Sequence, residues 1–302
     1  MNFPRQVTIT EVGPRDGLQN EPIFVNSDDK IAFINLLADS GLRHIEATSF
    51  VSAKQIPQLA DADLVYRTII KPDLVHFSAL VANHQGMLKA LDAGVKEIAL
   101  FTAASETFNQ YNINCSITES IQRFIPIIQL AKKHCIRVRA YISCALGCPY
   151  EGKVLPPQVE RVTQQLLELH VDEISLADTI GVGTPQQTVE LIEYLKLHLP
   201  LSMIAMHFHD TYGQGIANTY AALLSGISKF DSSVAGLGGC PYAQGASGNI
   251  ATEDILYLLH GLNITTGIDI YKIVRAGEMI CKILGRKNQS KVANALLLNS
   301  NQ

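Results

Sequence analysis

The chain has 302 residues, 28 acidic against 24 basic, a net charge of −4 and a sequence pI of about 6.1. That balance offers no basic face for nucleic acid. With 47% apolar and 17% charged residues it is not a disordered chain, and no run approaches the roughly 18 apolar residues of a membrane span.

Met1 to Gln6 carries neither an apolar nor an arginine-rich leader, so a cytoplasmic location is expected. The six cysteines, Cys115, Cys135, Cys144, Cys148, Cys240 and Cys281, contain no CxxC pair. A disulfide scaffold and a thiolate zinc site are therefore not expected, and Cys144 and Cys148 read as structural.

In chain order, β-rich runs fall at Val7–Val12, His44–Thr48, Val75–Val81, Glu97–Phe101, Val138–Ile142, Glu173–Ala177, Ile204–Phe208 and Ser233–Leu237. Segments with helical period lie between them. Lys30 to Ser40 places Ile31, Ile34, Leu37 and Ala38 on one stripe, and Val159 to His170 does the same with Val162, Leu166 and Leu169. Ser27-Asp28-Asp29 offers a helix start, Gly41 a stop, and Thr184-Pro185 a cap followed by a first-turn proline. Eight strand–helix units without a Pro/Gly/Ser linker predict an α/β fold, a closed TIM (β/α)8 barrel in one catalytic domain. The barrel spans about residues 5–262, and a C-terminal helix with a basic tail spans about 269–302. An open doubly wound sheet is the alternative. The barrel is favoured because chemically unusual residues sit at the C-terminal ends of runs one, two, six, seven and eight, ends that a barrel brings to one mouth.

The first of these is Gly13-Pro14-Arg15-Asp16-Gly17, an acid and a base on a sharp turn. Glu46 and Asp178 end the second and sixth runs and are candidates to pair with Arg15, or plain hydrogen-bond acceptors at the mouth. His207-Phe208-His209-Asp210 places two imidazoles on one face of a strand, the spacing of a metal pair as well as of two satisfied lip residues. Together with Asp16 they form a nitrogen/oxygen set suited to a divalent ion such as Mg, Mn or Zn. The loop from Val234 to Asn249 is dense in glycine but lacks a nucleotide-binding order of glycines. Its chemical residues are Cys240, a potential proton donor, and Asn249, whose amide oxygen suits a hard ion.

Five segments, GPRDGLQNE (13–21), IEATSFVS (45–52), ADTIGVGTP (177–185), HFHDTYGQ (207–214) and GLGGCPYAQGASGN (236–249), resemble the 3-hydroxy-3-methylglutaryl-CoA lyase family of metal-dependent barrels. The resemblance implies cleavage of that acyl-CoA to acetoacetate and acetyl-CoA. It implies a divalent cation, Mg or Mn ahead of Zn or Co, on Asp16, His207, His209 and Asn249. Arg15 is implied at the enolate oxygen, and Asp16 where the hydroxyl proton leaves. His207 joins the catalytic set, Cys240 the protonation of the product, and Glu46 and Asp178 the support of the site. Gln19, Ser49, Asn112, Ser116 and Ser175 are implied as polar contacts of the acyl group. The implied partners are a small acyl-CoA and a second copy of the chain, as a homodimer, with no nucleic acid and no membrane. One departure stands out: Gly285 precedes Arg286-Lys287, where some members carry asparagine. Claisen-type synthases share RDG and HxH but typically carry Gly-Glu-Arg in the last loop. A lyase for another 3-hydroxyacyl-CoA and a non-catalytic metal-binding barrel remain as alternatives.

Overall fold

Strand sequences with polar residues at one parity and apolar residues at the other dominate this chain, and the fold follows from where each set goes. In the computed structural model, which describes residues 3–239 and 248–299, eight parallel strands close in sequence order, the eighth pairing with the first. They are β1 (Thr8–Glu11), β2 (His44–Phe50), β3 (His76–Val81), β4 (Glu97–Ala103), β5 (Arg137–Ser143), β6 (Glu173–Asp178), β7 (Ile204–Phe208) and β8 (Lys229–Ser232). Helices α1 (Ser27–Asp39), α2 (Ala62–Thr68), α3 (His84–Asp92), α4 (Glu106–Ile113) and α5 (Ile117–Lys133) follow the first four strands. Helices α6 (Pro156–Glu168), α7 (Pro185–Leu195), α8 (Gly215–Leu224) and α9 (Thr252–Gly261) follow the rest. The expected barrel is thus the observed one.

The main hydrophobic core lies between sheet and helices, where Val138, Ala140 and Ile142 of β5, Ile174 and Leu176 of β6, and Met206 and Phe208 of β7 are buried. The opposite parity turns inward, and there the barrel is unusually polar: Glu46, Arg139, Glu173, Ser175, His207 and Asp231 are all buried. Leu80, Ala99 and Tyr141, with Phe101 against them, form a separate small apolar cluster. Many barrel interiors are filled by branched aliphatics. Here a charged interior requires near-complete pairing, because an unpartnered buried charge costs several kcal/mol.

Three local expectations change. The last strand is Lys229–Ser232, not Ser233–Leu237. Val234–Gly236 forms a tight turn in which Ala235 (φ 58°) and Gly236 (φ 61°) are left-handed, a conformation that ends a strand. The apolar Val-Ala-Gly-Leu run concealed the shorter, more polar strand before it. Asn26, not Ser27, caps α1 by accepting the Asp29 amide at 2.9 Å. Beyond the expected C-terminal helix, here α10 (Ile270–Leu284), residues expected as a polar tail form another helix, α11 (Lys291–Asn299). Its start is organised by Asp254, which accepts the Ser290 hydroxyl at 2.6 Å and the Val292 amide at 2.9 Å. Helix α10 packs on α1, and α11 packs on α9. No helix among the described residues is long and apolar enough to cross a membrane.

Candidate metal centre and active site

At the C-terminal mouth of the barrel, Gly13–Gly17 forms a single wide turn, with the amides of Arg15, Asp16 and Gly17 all directed at the Val12 carbonyl at 2.8–3.2 Å. Wide turns of this kind recur at functional sites because they re-aim side chains. Two close approaches require its glycines. A β-carbon on Gly13 would stand 2.6 Å from the Glu11 carboxylate, and one on Gly17 would stand 2.8 Å from Leu237 Cβ. The turn therefore lies directly on the loop after β8, and Arg15 and Asp16 project toward the barrel axis.

Arg15 is buried. Its Nε donates to Glu46, its Nη1 donates to Asp16 at 2.6 Å, and its guanidinium carbon sits 5.4 Å from the centre of the Tyr141 ring. Tyr141 in turn donates its hydroxyl to the other Glu46 oxygen at 2.9 Å. Burial works against the Arg15 charge, but Glu46 and Asp16 outweigh it and hold the guanidinium protonated at every accessible pH. Burial likewise pushes the Asp16 carboxyl up, and Arg15 with the two imidazoles overcomes this, holding it well below the usual carboxylate range.

His207 and His209, two apart across the end of β7, face the same way, with their Nε2 atoms 3.3 Å apart. His207 Nε2 lies 4.0 Å from Asp16 Oδ2. One donor atom from each of Asp16, His207 and His209 can be chosen so that all lie within 4.8 Å of one another, the only such group of at least three among the described residues. Asn249 is brought in by the backbone: the Asp210 amide donates to the Gly248 carbonyl at 3.2 Å and the Ile250 amide to the Phe208 carbonyl at 3.1 Å, extending the edge of β7. Its Nδ2 donates to Asp16 Oδ2 at 2.8 Å and to the Leu237 carbonyl at 3.1 Å, while its Oδ1 is buried without a partner.

These observations fit a divalent cation. An acid kept ionised, two imidazoles converging on one point and an orphaned amide oxygen beside them form a nitrogen/oxygen donor set. Burial, with His207 nearby, pulls the His209 pKa down to about 4 against the opposing pull of Asp16, leaving a neutral ring with a lone pair to give. His207 Nδ1 faces Asp231 Oδ2 at 3.2 Å, the carboxylate–histidine contact that directs Nε2 outward.

The site opens into a cavity of about 860 Å³ whose lining includes Arg15, Asp16, Gln19, Asn112, His207 and His209. Gln19 Oε1 is buried and unpartnered. Other expected residues lie apart from that lining. Asp178 makes no contact with Arg15; it accepts the amides of Val182 (3.1 Å) and Gly183 (2.9 Å) and shapes the loop after β6. Burial raises its pKa to about 6, against those amides. Ser49 donates to the Leu80 carbonyl at 3.4 Å within the sheet, and Ser116 caps α5 in a reciprocal pair with Glu119. Ser175 lies beneath the site, donating to Asp231 at 2.8 Å. Cys240 lies outside the described residues; its neighbour Gly239 lines the cavity. Sequence reasoning missed Arg139, Tyr141 and Asp231. Their signal was present in the inward parity of Arg-Val-Arg-Ala-Tyr and Lys-Phe-Asp, two strands that place charge on the interior face.

Fold and site together define a (β/α)8 barrel whose mouth holds two histidines and a carboxylate, placed as a cation would need them, beside a buried arginine. Residues 6–280 match the HMGL-like family, and the chain belongs to it. The 3-hydroxy-3-isohexenylglutaryl-CoA/hydroxy-methylglutaryl-CoA lyase of Pseudomonas aeruginosa is 54% identical over 297 residues, covering 98% of this chain and 99% of that one. Human mitochondrial hydroxymethylglutaryl-CoA lyase is 52% identical over 293 residues, covering 97% and 90%. The crystal structure of hydroxymethylglutaryl-CoA lyase from P. aeruginosa matches with a TM-score of 0.97 at 53% identity, covering 99% of this chain and all of that one.

Proposed function

We propose that this chain is a carbon–carbon lyase that cleaves 3-hydroxy-3-methylglutaryl-CoA to acetoacetate and acetyl-CoA, the activity named for its relatives. The carrying observation is that Arg15 and Asp16, adjacent in sequence and ion-paired at 2.6 Å, meet the two imidazoles of β7 at one end of a single cavity.

In this reaction the tertiary hydroxyl loses its proton, the C2–C3 electron pair moves into the departing thioester as an enolate, and C2 is then protonated. Asp16, His207, His209 and Asn249 would hold a divalent cation, Mg or Mn ahead of Zn or Co as the family resemblance implies, and that ion would acidify the hydroxyl. Asp16 is placed where the hydroxyl proton leaves, with His207 beside it; Arg15 and the imidazoles keep its carboxylate ionised. Arg15 presents its remaining N–H donors where negative charge develops on the thioester oxygen, and Glu46 and Tyr141 fix its plane beforehand, so little reorganisation is needed at that moment. Cys240 is assigned the return of a proton to C2. Purified protein given Mg²⁺ or Mn²⁺ should form acetoacetate from this substrate; no product above background across a range of both ions rejects the assignment. Cys240→Ala should slow product formation while leaving the fold intact, and an unchanged rate removes its role.

A second reading concerns the branch at C3. Leu80, Phe101, Phe108, Ile113 and Phe124 line the cavity with apolar surface, and the P. aeruginosa relative is named for an isohexenyl substrate. Comparing kcat/KM for methyl- and isohexenyl-branched substrates decides between a narrow and a broad lyase.

A further inference from the structure

Arg139 is one of the most deeply buried side chains, 1% exposed at the centre of the barrel and outside the cavity lining. Its three nitrogens face three different partners. Nη2 donates to Asp231 Oδ1 and Nη1 to the Tyr141 hydroxyl at 3.0 Å, while Nε lies within ion-pair distance of Glu173, at 2.8 Å, without a hydrogen bond to it. Two chains of contacts start from that one plane. Through Asp231, whose other oxygen takes Ser175 at 2.8 Å and faces His207 Nδ1 at 3.2 Å, it reaches the imidazole of the cation centre. Through Tyr141 and then Glu46 it reaches Arg15. The imidazoles at the end of β7 and the guanidinium on the turn after β1, two strands apart in the barrel order, therefore share one anchor on β5 across the interior.

We infer that Arg139 is a positioning residue that sets His207 and Arg15 together, a role that rests on the cation reading of the mouth given above. The two oxygens of Asp231 have separate duties: Oδ1 is occupied by Arg139, so Oδ2 alone is left to hold Ser175 and orient the histidine. A guanidinium places two separate donors on Asp231 and the tyrosine hydroxyl while its charge stays beside Glu173, which the single ammonium of a lysine on the same strand cannot do at once.

The test measures Mn²⁺ affinity by electron paramagnetic resonance, independent of turnover, alongside kcat at saturating Mn²⁺, for the parent protein, Arg139→Gln and Arg139→Lys. Circular dichroism and a cooperative thermal transition establish that each variant is folded. Loss of a contact that orients a metal-binding histidine typically weakens binding about 10–100-fold. Arg139→Gln should raise the Mn²⁺ Kd by about that factor and, even when saturated, show a kcat at least about tenfold down, through Tyr141, Glu46 and Arg15. Arg139→Lys retains the charge inside the barrel and serves if the glutamine variant does not fold. It should recover part of the Mn²⁺ affinity and little of the kcat, a split that a purely structural role would not produce. Folded variants with both quantities within about twofold of the parent overturn the inference, as does a kcat loss that simply follows the unfolded fraction. If the parent protein itself binds no Mn²⁺, the cation reading falls and this inference with it; parent binding with unaltered variants removes the inference alone.

Discussion

Replacing Arg15 with methionine keeps the volume of the side chain and removes its charge, and the structure sets what that should cost. Two carboxylates lose their partner: Glu46, fully buried and left with only the Tyr141 hydroxyl, and Asp16, whose side chain is 24% exposed toward the cavity. Stranding a buried carboxylate costs about 3–5 kcal/mol of stability when one member of the pair is deleted. Loss of a single preorganised donor to the oxyanion costs about 3–4 kcal/mol in the transition state, a factor of 10²–10³ in kcat. The two effects separate in a double variant. Arg15→Met with Glu46→Gln removes the stranded charge, so most of the stability should return, with a coupling of about 1–3 kcal/mol between the positions, while kcat stays low. Urea unfolding reads the first quantity. Acetoacetate formation at saturating substrate and Mn²⁺ reads the second. If the double variant turns over within tenfold of the parent, Arg15 acts through the stability of the mouth rather than on the developing charge, and the assignment is wrong.

Chelation should abolish turnover and added Mg²⁺ or Mn²⁺ should restore it, whereas Asp16→Asn should not be rescued by either ion at millimolar concentration, checked by the same assay and by Mn²⁺ titration. Gly17→Ala forces a methyl group against Leu237 and the Ser233 hydroxyl, each 2.8 Å away, so about 1–3 kcal/mol of stability should be lost together with cation affinity. A pH dependence of stability follows from Glu11 and Glu253, whose carboxyls burial pushes up to about 7 and about 8 against the hydrogen bonds they accept. Raised acids keep protons in the folded state that the unfolded chain releases, which lowers stability as pH rises from about 4.5. His44 and His209, pulled down by burial to about 4, act in the opposite sense up to pH 6.5. The two contributions oppose one another until the unfolded histidines have lost their protons. In EDTA, stability should therefore fall between about pH 6.5 and 8 by up to about 1.4 kcal/mol per pH unit for each acid still protonated. Glu253→Gln should flatten most of that decline in unfolding curves taken across the range, and an unchanged slope refutes it.

By itself the sequence determined the alternation of eight strands with helices, the apolar face each strand presents to those helices, and the chemical residues at the ends of β1, β2, β6 and β7. Local pattern suffices for these, because side-chain parity along a strand and periodicity along a helix are properties of adjacent residues. Which residues meet was decided by closure of the barrel. Glu46 and Asp178 looked equivalent as strand-end acids, yet one takes the arginine and the other takes backbone amides from its own loop. The place of β8 depended on pairing with β1 and β7 rather than on its own polar residues, and Asn249 reached Asp16 only through the bridge its loop makes to the end of β7. Parity marks Arg139, Tyr141 and Asp231 as inward-facing, but their roles became legible only once the strands closed on one another, since their partners lie up to 95 residues away in the chain.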